Sequence, residues 1–153
     1  MIRSIASVGA GGVYLGVIFG GGYAESPSIG NAMAGGIIKL SSANGVLWNQ
    51  YFGSDAVSER EVTADAAGDA FVIYTAEAAS PSPATTTNVV KIDGSGAIQW
   101  STTLDGPAAG LPDYHLAVTP SGEAVITGSF TGSLDVDPGP ANLTLTAVGT
   151  DTF

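Results

Sequence analysis

The sequence predicts an all-β protein, an incomplete β-propeller-like array of four-stranded antiparallel blades. Glycine and proline are abundant, with 22 and 8 of the 153 residues, as closely spaced turns require. Charged residues make up only 12% of the chain, whereas an ordinary soluble domain carries about 25%. Two strand-turn-strand patterns also recur along the chain, and such periodicity is typical of repeat architectures.

The first repeated pattern is a hairpin that contains a lysine and a tryptophan. An apolar run around Lys39, five turn-forming residues and the run Val-Leu-Trp48 return around Lys91 and Trp100. The two copies lie 52 positions apart and align without a gap. Short glycine-containing segments between apolar runs predict β-hairpins.

The second repeated pattern precedes each of these hairpins and is centred on a glycine. Residues 62–74 match residues 116–128, with Gly68 and Gly122 at the same place, 54 positions apart. Residues 5–16 form a blurred third copy. Each copy reads as a strand, a tight turn and a strand, so one unit contains four strands in two hairpins.

These spacings divide the chain into a degenerate first blade (1–53), a second blade (54–106) and a truncated third blade (107–153). Ala-rich residues 64–79 also fit a helix, but the run Phe-Val-Ile-Tyr-Thr within them favours a strand. A blade with two apolar faces is covered only when neighbours stack on both sides. We therefore expect further blades of the same protein, or self-association, to complete the array.

Residues 122–153 carry the most specific pattern in the chain. They contain Gly-x-Ala-Val-Ile-Thr-Gly-Ser-Phe-Thr-Gly-Ser-Leu-Asp-Val-Asp-Pro-Gly-Pro, then Leu-Thr-Leu-Thr and Gly-Thr-Asp-Thr-Phe. This pattern resembles the bacterial SBBP-type β-propeller repeat, in which the final Phe leads into a hairpin similar to residues 36–48 and 88–100. The resemblance implies a large secreted or cell-surface bacterial protein with many repeats and no assigned function. The chain departs from the family by ending mid-repeat and by its degenerate first copy.

Charge and cysteine content exclude several classes of function. The formal net charge is −10 and the few cations do not cluster, so binding to nucleic acid or to an anionic membrane surface is not expected. The absence of Cys excludes disulfides, thiolate metal sites and cysteine nucleophiles. The uncharged stretch after Arg3 fits a signal peptide, although its many glycines weaken an apolar helix, and it equally fits a first blade.

Asp135 and Asp137 form the acidic cluster of most interest. Alternate strand residues point the same way, so the two carboxylates would share one face and could ligate calcium. The alternative is a strand end turned by Asp-Pro-Gly. A glycosidase acid–base pair is the weaker interpretation, because nothing in the sequence marks one carboxyl group for a raised pKa.

The remaining candidate residues have structural interpretations. Trp48 and Trp100 are expected to pack against the next blade rather than bind sugars or bases. Lys39 and Lys91 are interpreted as edge charges that discourage strand addition. His115 is the only histidine, but no Gly-x-Ser-x-Gly nucleophile motif accompanies it.

Two classes of function follow from this sequence. The favoured class is a non-catalytic scaffold or binding module whose blade loops present a surface to a protein or glycan ligand, with no cofactor unless calcium binds. The alternative is a propeller fragment of a quinoprotein-type dehydrogenase, whose blades carry a Gly…Trp signature similar to Gly45…Trp48. Such enzymes hold a pyrroloquinoline cofactor near the propeller axis.

Overall fold

A computed structural model of the chain describes residues 1–9, 12–19, 34–52, 57–77, 85–104, 114–135 and 143–152. It contains twelve strands, numbered in chain order. The first six are β1 Ile2–Val8, β2 Gly12–Phe19, β3 Ala34–Leu40, β4 Val46–Phe52, β5 Val57–Ala64 and β6 Ala70–Glu77. The last six are β7 Thr85–Ile92, β8 Ile98–Leu104, β9 His115–Val118, β10 Ala124–Thr127, β11 Ser129–Asp135 and β12 Thr144–Thr152.

The strands form two complete antiparallel meanders and two smaller hairpins. Strands β1 to β4 make the first sheet, and β5 to β8 make the second sheet, each in sequence order. Strand β9 pairs with β10, and β11 pairs with β12, and we call these two hairpins the third unit. The prediction of an all-β chain with antiparallel sheets is confirmed. Among the described strands, the sheets do not close into a ring or a barrel.

The second sheet is covered on both faces. Phe71, Val72 and Ile73 are consecutive residues of β6, and all three are 0% exposed. Since successive strand side chains point to opposite faces, this continuous apolar run is buried against neighbours on either side. The strand interpretation of this segment is confirmed, and the helical alternative is wrong. Within the described ranges, no helix is long and apolar enough to span a membrane.

Four short turns share one geometry. They begin at Ser41, Asp65, Asp93 and Thr119, and in each the first residue's N–H donates to the carbonyl four positions on. The N–H of the fourth residue donates back to the first carbonyl. A side-chain oxygen of the first residue also accepts a turn N–H in every case, from Gly45, Ala67 and Asp69, Ser95 and Ala97, or Glu123.

The fourth residue of each turn has positive φ, which explains an apparent mismatch between the repeats. Gly68, Gly96 and Gly122 have φ of 88°, 97° and 83°, and Asn44 has φ of 62°. Gly45 and Gly96 are out of step by one position in the sequence, but Asn44 takes the place of Gly96. Asn is among the non-glycine residues that tolerate this left-handed region best.

The two complete sheets repeat the same register. Lys39 lies opposite Trp48, and Lys91 lies opposite Trp100, and each pair is followed by a bulge. On its other side Lys39 lies opposite Tyr14, whereas Lys91 lies opposite Phe71. Residues that repeat 52 positions apart in the sequence therefore also have equivalent cross-strand partners.

The first sheet packs on the second sheet, and the second sheet packs on the third unit. The first of these cores contains Tyr14, Ile37, Phe52, Val62, Ala70, Val72, Val90 and Ile92. The second core contains Phe71, Ile73, Val89, Leu104, Tyr114, Leu116 and Leu134. The sheets lie within the predicted blades 1–53 and 54–106, and the third unit lies within 107–153.

Candidate functional site: the joints between repeat units

Several side-chain hydrogen bonds between residues far apart in the sequence lie where one unit meets the next. We call the contact between the first and second sheets the first joint, and the contact between the second sheet and the third unit the second joint. Each joint combines an apolar core with hydrogen bonds that cross between units. These joints are the candidate site because they bring together most of the repeated residues.

One hydrogen bond occurs in both joints at the same place in the repeat. The backbone N–H of Val62 donates to Ser4 Oγ at 3.1 Å in the first joint. The N–H of Leu116 donates to Glu61 Oε2 at 2.9 Å in the second joint. Ser4 lies opposite Gly16 and Glu61 lies opposite Ile73, which are equivalent register positions. The first strands of the first and second sheets therefore each offer a side-chain oxygen to the first strand of the next unit.

A second contact also occurs in both joints. The β5–β6 turn of the second sheet approaches the end of β1, so that a Cβ at Gly68 would lie 3.3 Å from Cγ1 of Val8. The β9–β10 turn of the third unit approaches the end of β5 in the same way, and a Cβ at Gly122 would lie 3.4 Å from Oδ2 of Asp65. Gly68 and Gly122 are thus joint residues as well as turn residues.

In the first joint, Lys39 and Trp48 bind one carbonyl of the second sheet. Lys39 Nζ donates to the Gly94 carbonyl at 2.8 Å, and Trp48 Nε1 donates to the same oxygen at 3.1 Å. The indole covers Gly96, where a Cβ would lie 3.1 Å from Cδ2 of Trp48. A side chain at this positive-φ position would therefore meet the indole as well as backbone strain.

The turn that receives Lys39 and Trp48 is held by its own carboxylate. Asp93 Oδ1 accepts hydrogen bonds from Ser95 Oγ at 2.6 Å and from the backbone N–H groups of Ser95 and Ala97. Gln99 Nε2 donates to the other oxygen at 2.7 Å. The Ser95 hydroxyl, followed by the Ala97 N–H, lowers the pKa of Asp93 below its usual value. The Gly94 carbonyl is consequently presented by a fixed turn.

Tyr14 lies at the centre of the first joint. Its hydroxyl donates to the Gly68 carbonyl at 2.6 Å, and its ring is 5.5 Å from the Trp48 ring and 5.2 Å below Lys39 Nζ. The side chain is fully buried. Burial, followed by the negative charges of Asp69, Asp65 and Asp93, raises the pKa of Tyr14 from 10.0 to about 12.

The corresponding row of the second sheet has different partners. Lys91 Nζ lies 4.9 Å from the Phe71 ring centroid, and the Trp100 ring meets Phe71 edge-on at 6.0 Å. Lys91 then turns back within its own sheet to Asp69 at 3.1 Å and Asp65 at 3.5 Å. The hydrogen bond that Lys91 donates to Asp69 is the main reason why the pKa of Lys91 is raised.

The structure corrects the interpretation of the two lysines and shows different contacts for the two tryptophans. Lys39 and Lys91 are not edge charges, because β3 and β7 are inner strands of their sheets. Trp48 contacts the next sheet as predicted. Trp100 contacts Phe71 of its own sheet and remains 39% exposed.

The predicted calcium pair is described only in part. Asp135 Oδ1, at the end of β11, accepts the backbone N–H of Leu143, the residue before β12, at 3.0 Å. Asp137 lies outside the described residues. Among the residues that are described, no three His, Asp or Glu side chains come together as a metal site. A calcium site at Asp135 and Asp137 stays a prediction.

His115 lies in the second joint rather than beside a nucleophile. Its Nδ1 is 3.6 Å from Glu61 Oε2, the same oxygen that accepts the Leu116 N–H. The imidazole is 67% exposed. Its position at the start of β9 corresponds to those of Ser4 and Glu61 at the joints, because His115 pairs with Thr127 as Glu61 pairs with Ile73.

Sequence reasoning missed five polar residues of the joints. They are Ser4, Tyr14, Glu61, Asp65 and Asp69. Their signal is weak, because Ser, Tyr, Asp and Glu at these positions are not repeated in type from one unit to the next. Aligning the units by cross-strand register rather than by residue identity would have placed Ser4 with Glu61, and Tyr14 with Phe71.

Comparison of the chain with protein-family models and with curated protein sequences finds no match. The resemblance of residues 122–153 to the SBBP-type repeat therefore stays a prediction from the sequence.

Proposed function

We propose that this chain is a non-catalytic β-propeller repeat segment of a bacterial secreted or cell-surface protein, of the SBBP type. Its units act as a scaffold, and their loops present a binding surface to a protein or a glycan. The supporting observation is the hydrogen bond that recurs in both joints, from Val62 to Ser4 and from Leu116 to Glu61. A contact repeated at equivalent positions relates successive units by the same operation, as in a repeat array.

The arrangement of first strands supports a propeller rather than a different stack of sheets. Strand β1 lies against β5, and β5 lies against β9. Blades arranged around a central channel bring one strand of each blade next to the corresponding strand of its neighbour. The same ordering places the four short turns at one end of the sheets, because every second connection of a meander lies on the same side.

The polar groups of the joints support a structural role. Lys39, Lys91 and Tyr14 are each bound to an oxygen of a neighbouring turn or of their own sheet. Tyr14 and Lys39 thereby hold one unit on another, and Lys91 holds the β5–β6 turn of its own sheet. The loops, rather than the joints, are the surface left for a ligand.

An experimental structure of this chain tests the proposal. We expect that the rotation from the first sheet to the second sheet equals the rotation from the second sheet to β9–β12, about a shared axis. Unequal rotations, or axes that do not coincide, would contradict the propeller.

The quinoprotein alternative is tested by activity. The chain is mixed with pyrroloquinoline quinone and calcium, and dehydrogenase turnover is measured with alcohols and sugars. We expect no turnover and no change in the visible spectrum of the quinone. Turnover, or a saturable spectral change, would favour the enzyme class.

A further inference from the structure

The two ends of the stack expose faces whose counterparts inside the molecule are buried. We call the side of a unit that points toward the following unit its forward face, and the opposite side its rear face. The second sheet has both faces covered, by the first sheet and by the third unit. The rear face of the first sheet and the forward face of the third unit have no such cover in the described structure.

The rear face of the first sheet carries apolar residues that are exposed or only partly buried. Ile5 of β1 is 66% exposed, whereas Val62 and Leu116, its register equivalents, are 4% and 5% exposed. Leu15, which lies opposite Ile5, is only half-buried, whereas its equivalent Val72 is 0% exposed. The same contrast holds for three further residues of this face, namely Val13, Ile38 and Leu40.

The forward face of the third unit shows the same contrast. Val125 lies opposite Ala117 in the position that Phe71 and Tyr14 occupy in the complete sheets. Phe71 and Tyr14 are 0% exposed, whereas Val125 is 50% exposed. The residues that share this face, Ala117 and Thr127, are also exposed.

We propose that a second copy of this chain docks its rear face on the forward face of the third unit, in a head-to-tail contact. The inference rests on the repeated joints that also support the proposed scaffold function. Inside the chain, the second sheet and the third unit each have their rear face covered by the forward face of the preceding unit. A second copy supplies the same rear face, in the register that the two joints of this chain repeat.

The new joint has a specific polar contact. Ser4 and Glu61 accept an N–H from the following unit, and His115 holds the equivalent position in the third unit. The donor equivalent to Val62 and Leu116 is the N–H of Ile5. An imidazole nitrogen of His115 would accept this N–H from the second copy. Because the contact joins two different faces, it forms rings or open chains rather than a symmetric dimer.

A pair of complementary variants tests the contact. Ile5→Asp damages only the rear face, and Val125→Asp damages only the forward face. Sedimentation velocity of the wild-type chain should show concentration-dependent association, and each variant alone should sediment as a monomer. An equimolar mixture of the two variants should form a species of twice the monomer mass that does not grow further, because one intact joint is available.

Two controls keep the result specific. Ile98→Asp changes an apolar residue that is also 50% exposed, but on the second sheet, and it should leave association unchanged. At a concentration so low that the wild-type chain is monomeric, circular dichroism and thermal unfolding of all variants should match the wild-type chain. His115→Leu should weaken association about tenfold, the effect of one hydrogen bond, whereas His115→Gln, which keeps an acceptor, should largely restore it.

Three results would overturn the head-to-tail contact. They are a wild-type chain that stays monomeric at high concentration, single variants that associate like the wild-type chain, and a mixture that forms no heterodimer. None of them bears on the scaffold function, which is tested separately by the rotation between units and by the quinone assay.

Discussion

The two joints occupy the same positions of the repeat but use different side chains. In the first joint, Tyr14 and Lys39 reach across to carbonyls of the second sheet. In the second sheet, Phe71 has no hydroxyl, and Lys91 turns back to Asp65 and Asp69 of its own sheet. The apolar core and the hydrogen bond between first strands are retained in both.

The difference shows that the repeat fixes where a side chain lies, whereas local sequence fixes what it binds. Lys91 has two carboxylates in the β5–β6 turn beside it. The equivalent positions of the first sheet are Val8 and Gly12, which carry no charge, and Lys39 binds the next unit instead. Both joints keep the buried apolar residues and the hydrogen bond between first strands, whichever partner the lysine binds.

The largest loss of stability is expected at a buried position of a joint, in contrast to its exposed equivalent in the third unit. Phe71→Ala removes a fully buried ring from the second joint and should lower the free energy of unfolding by about 3–5 kcal/mol. Val125→Ala, at the equivalent but exposed position, should lower it by less than about 0.5 kcal/mol in dilute solution. Urea unfolding of both variants measures the contrast. Equal losses would mean that Val125 is as well covered in solution as Phe71.

Removal of the Tyr14 hydroxyl should have the next largest effect. Tyr14→Phe makes the first joint resemble the second and leaves the Gly68 carbonyl without its 2.6 Å donor. We expect a loss of about 1–2 kcal/mol in the free energy of unfolding, measured by urea titration at pH 7. A variant as stable as the wild-type chain would show that this hydrogen bond does not hold the joint.

The same residue makes the first joint sensitive to alkaline pH. The pKa of Tyr14 is about 12 in the folded chain, against 10.0 for an ordinary tyrosine. The unfolded chain therefore loses this proton first, so the contribution of Tyr14 to stability is complete below pH 10 and falls as the pH rises from 10 to 12. The stability difference between the wild-type chain and Tyr14→Phe should shrink over this range. A constant difference would contradict the assignment.

The shared hydrogen bond should contribute equally to both joints. Ser4→Ala removes the acceptor for Val62, and Glu61→Ala removes the acceptor for Leu116. Each should lower the free energy of unfolding by about 1 kcal/mol. Glu61→Gln keeps an acceptor oxygen and serves as the matched control. A loss in only one of the two alanine variants would mean that the two joints are not equivalent.

The smallest effects are expected at the two lysines. Lys91→Met should cost about 1 kcal/mol, because Asp65, with a side chain only 5% exposed, loses its cation. Lys39→Met should cost less, since its Gly94 contact is exposed to water. High salt should narrow the difference in stability between the two variants, because salt screens the ion pairs of Lys91. Thermal unfolding at low and at high salt measures this change. A larger loss at Lys39 would reverse the comparison.

Periodicity is enough to predict an all-β chain of antiparallel strands with short glycine-containing turns, whereas its division into blades stays a prediction. The positions of Lys39, Trp48 and their equivalents followed from the spacing alone. Their partners did not, because a carbonyl such as that of Gly94 has no sequence signature. Ser4 and Glu61 share a role but no residue type, and only the cross-strand register reveals their equivalence.

Amide hydrogen exchange measured by NMR tests the recurring joint most directly. It compares three register-equivalent N–H groups, those of Val62, Leu116 and Ile5, at low and at high protein concentration. We expect Val62 and Leu116 to be protected at both concentrations, and Ile5 to be protected only at the higher one. Exchange of Val62 or Leu116 as fast as that of Ile5 in dilute solution would contradict the stacking of the units.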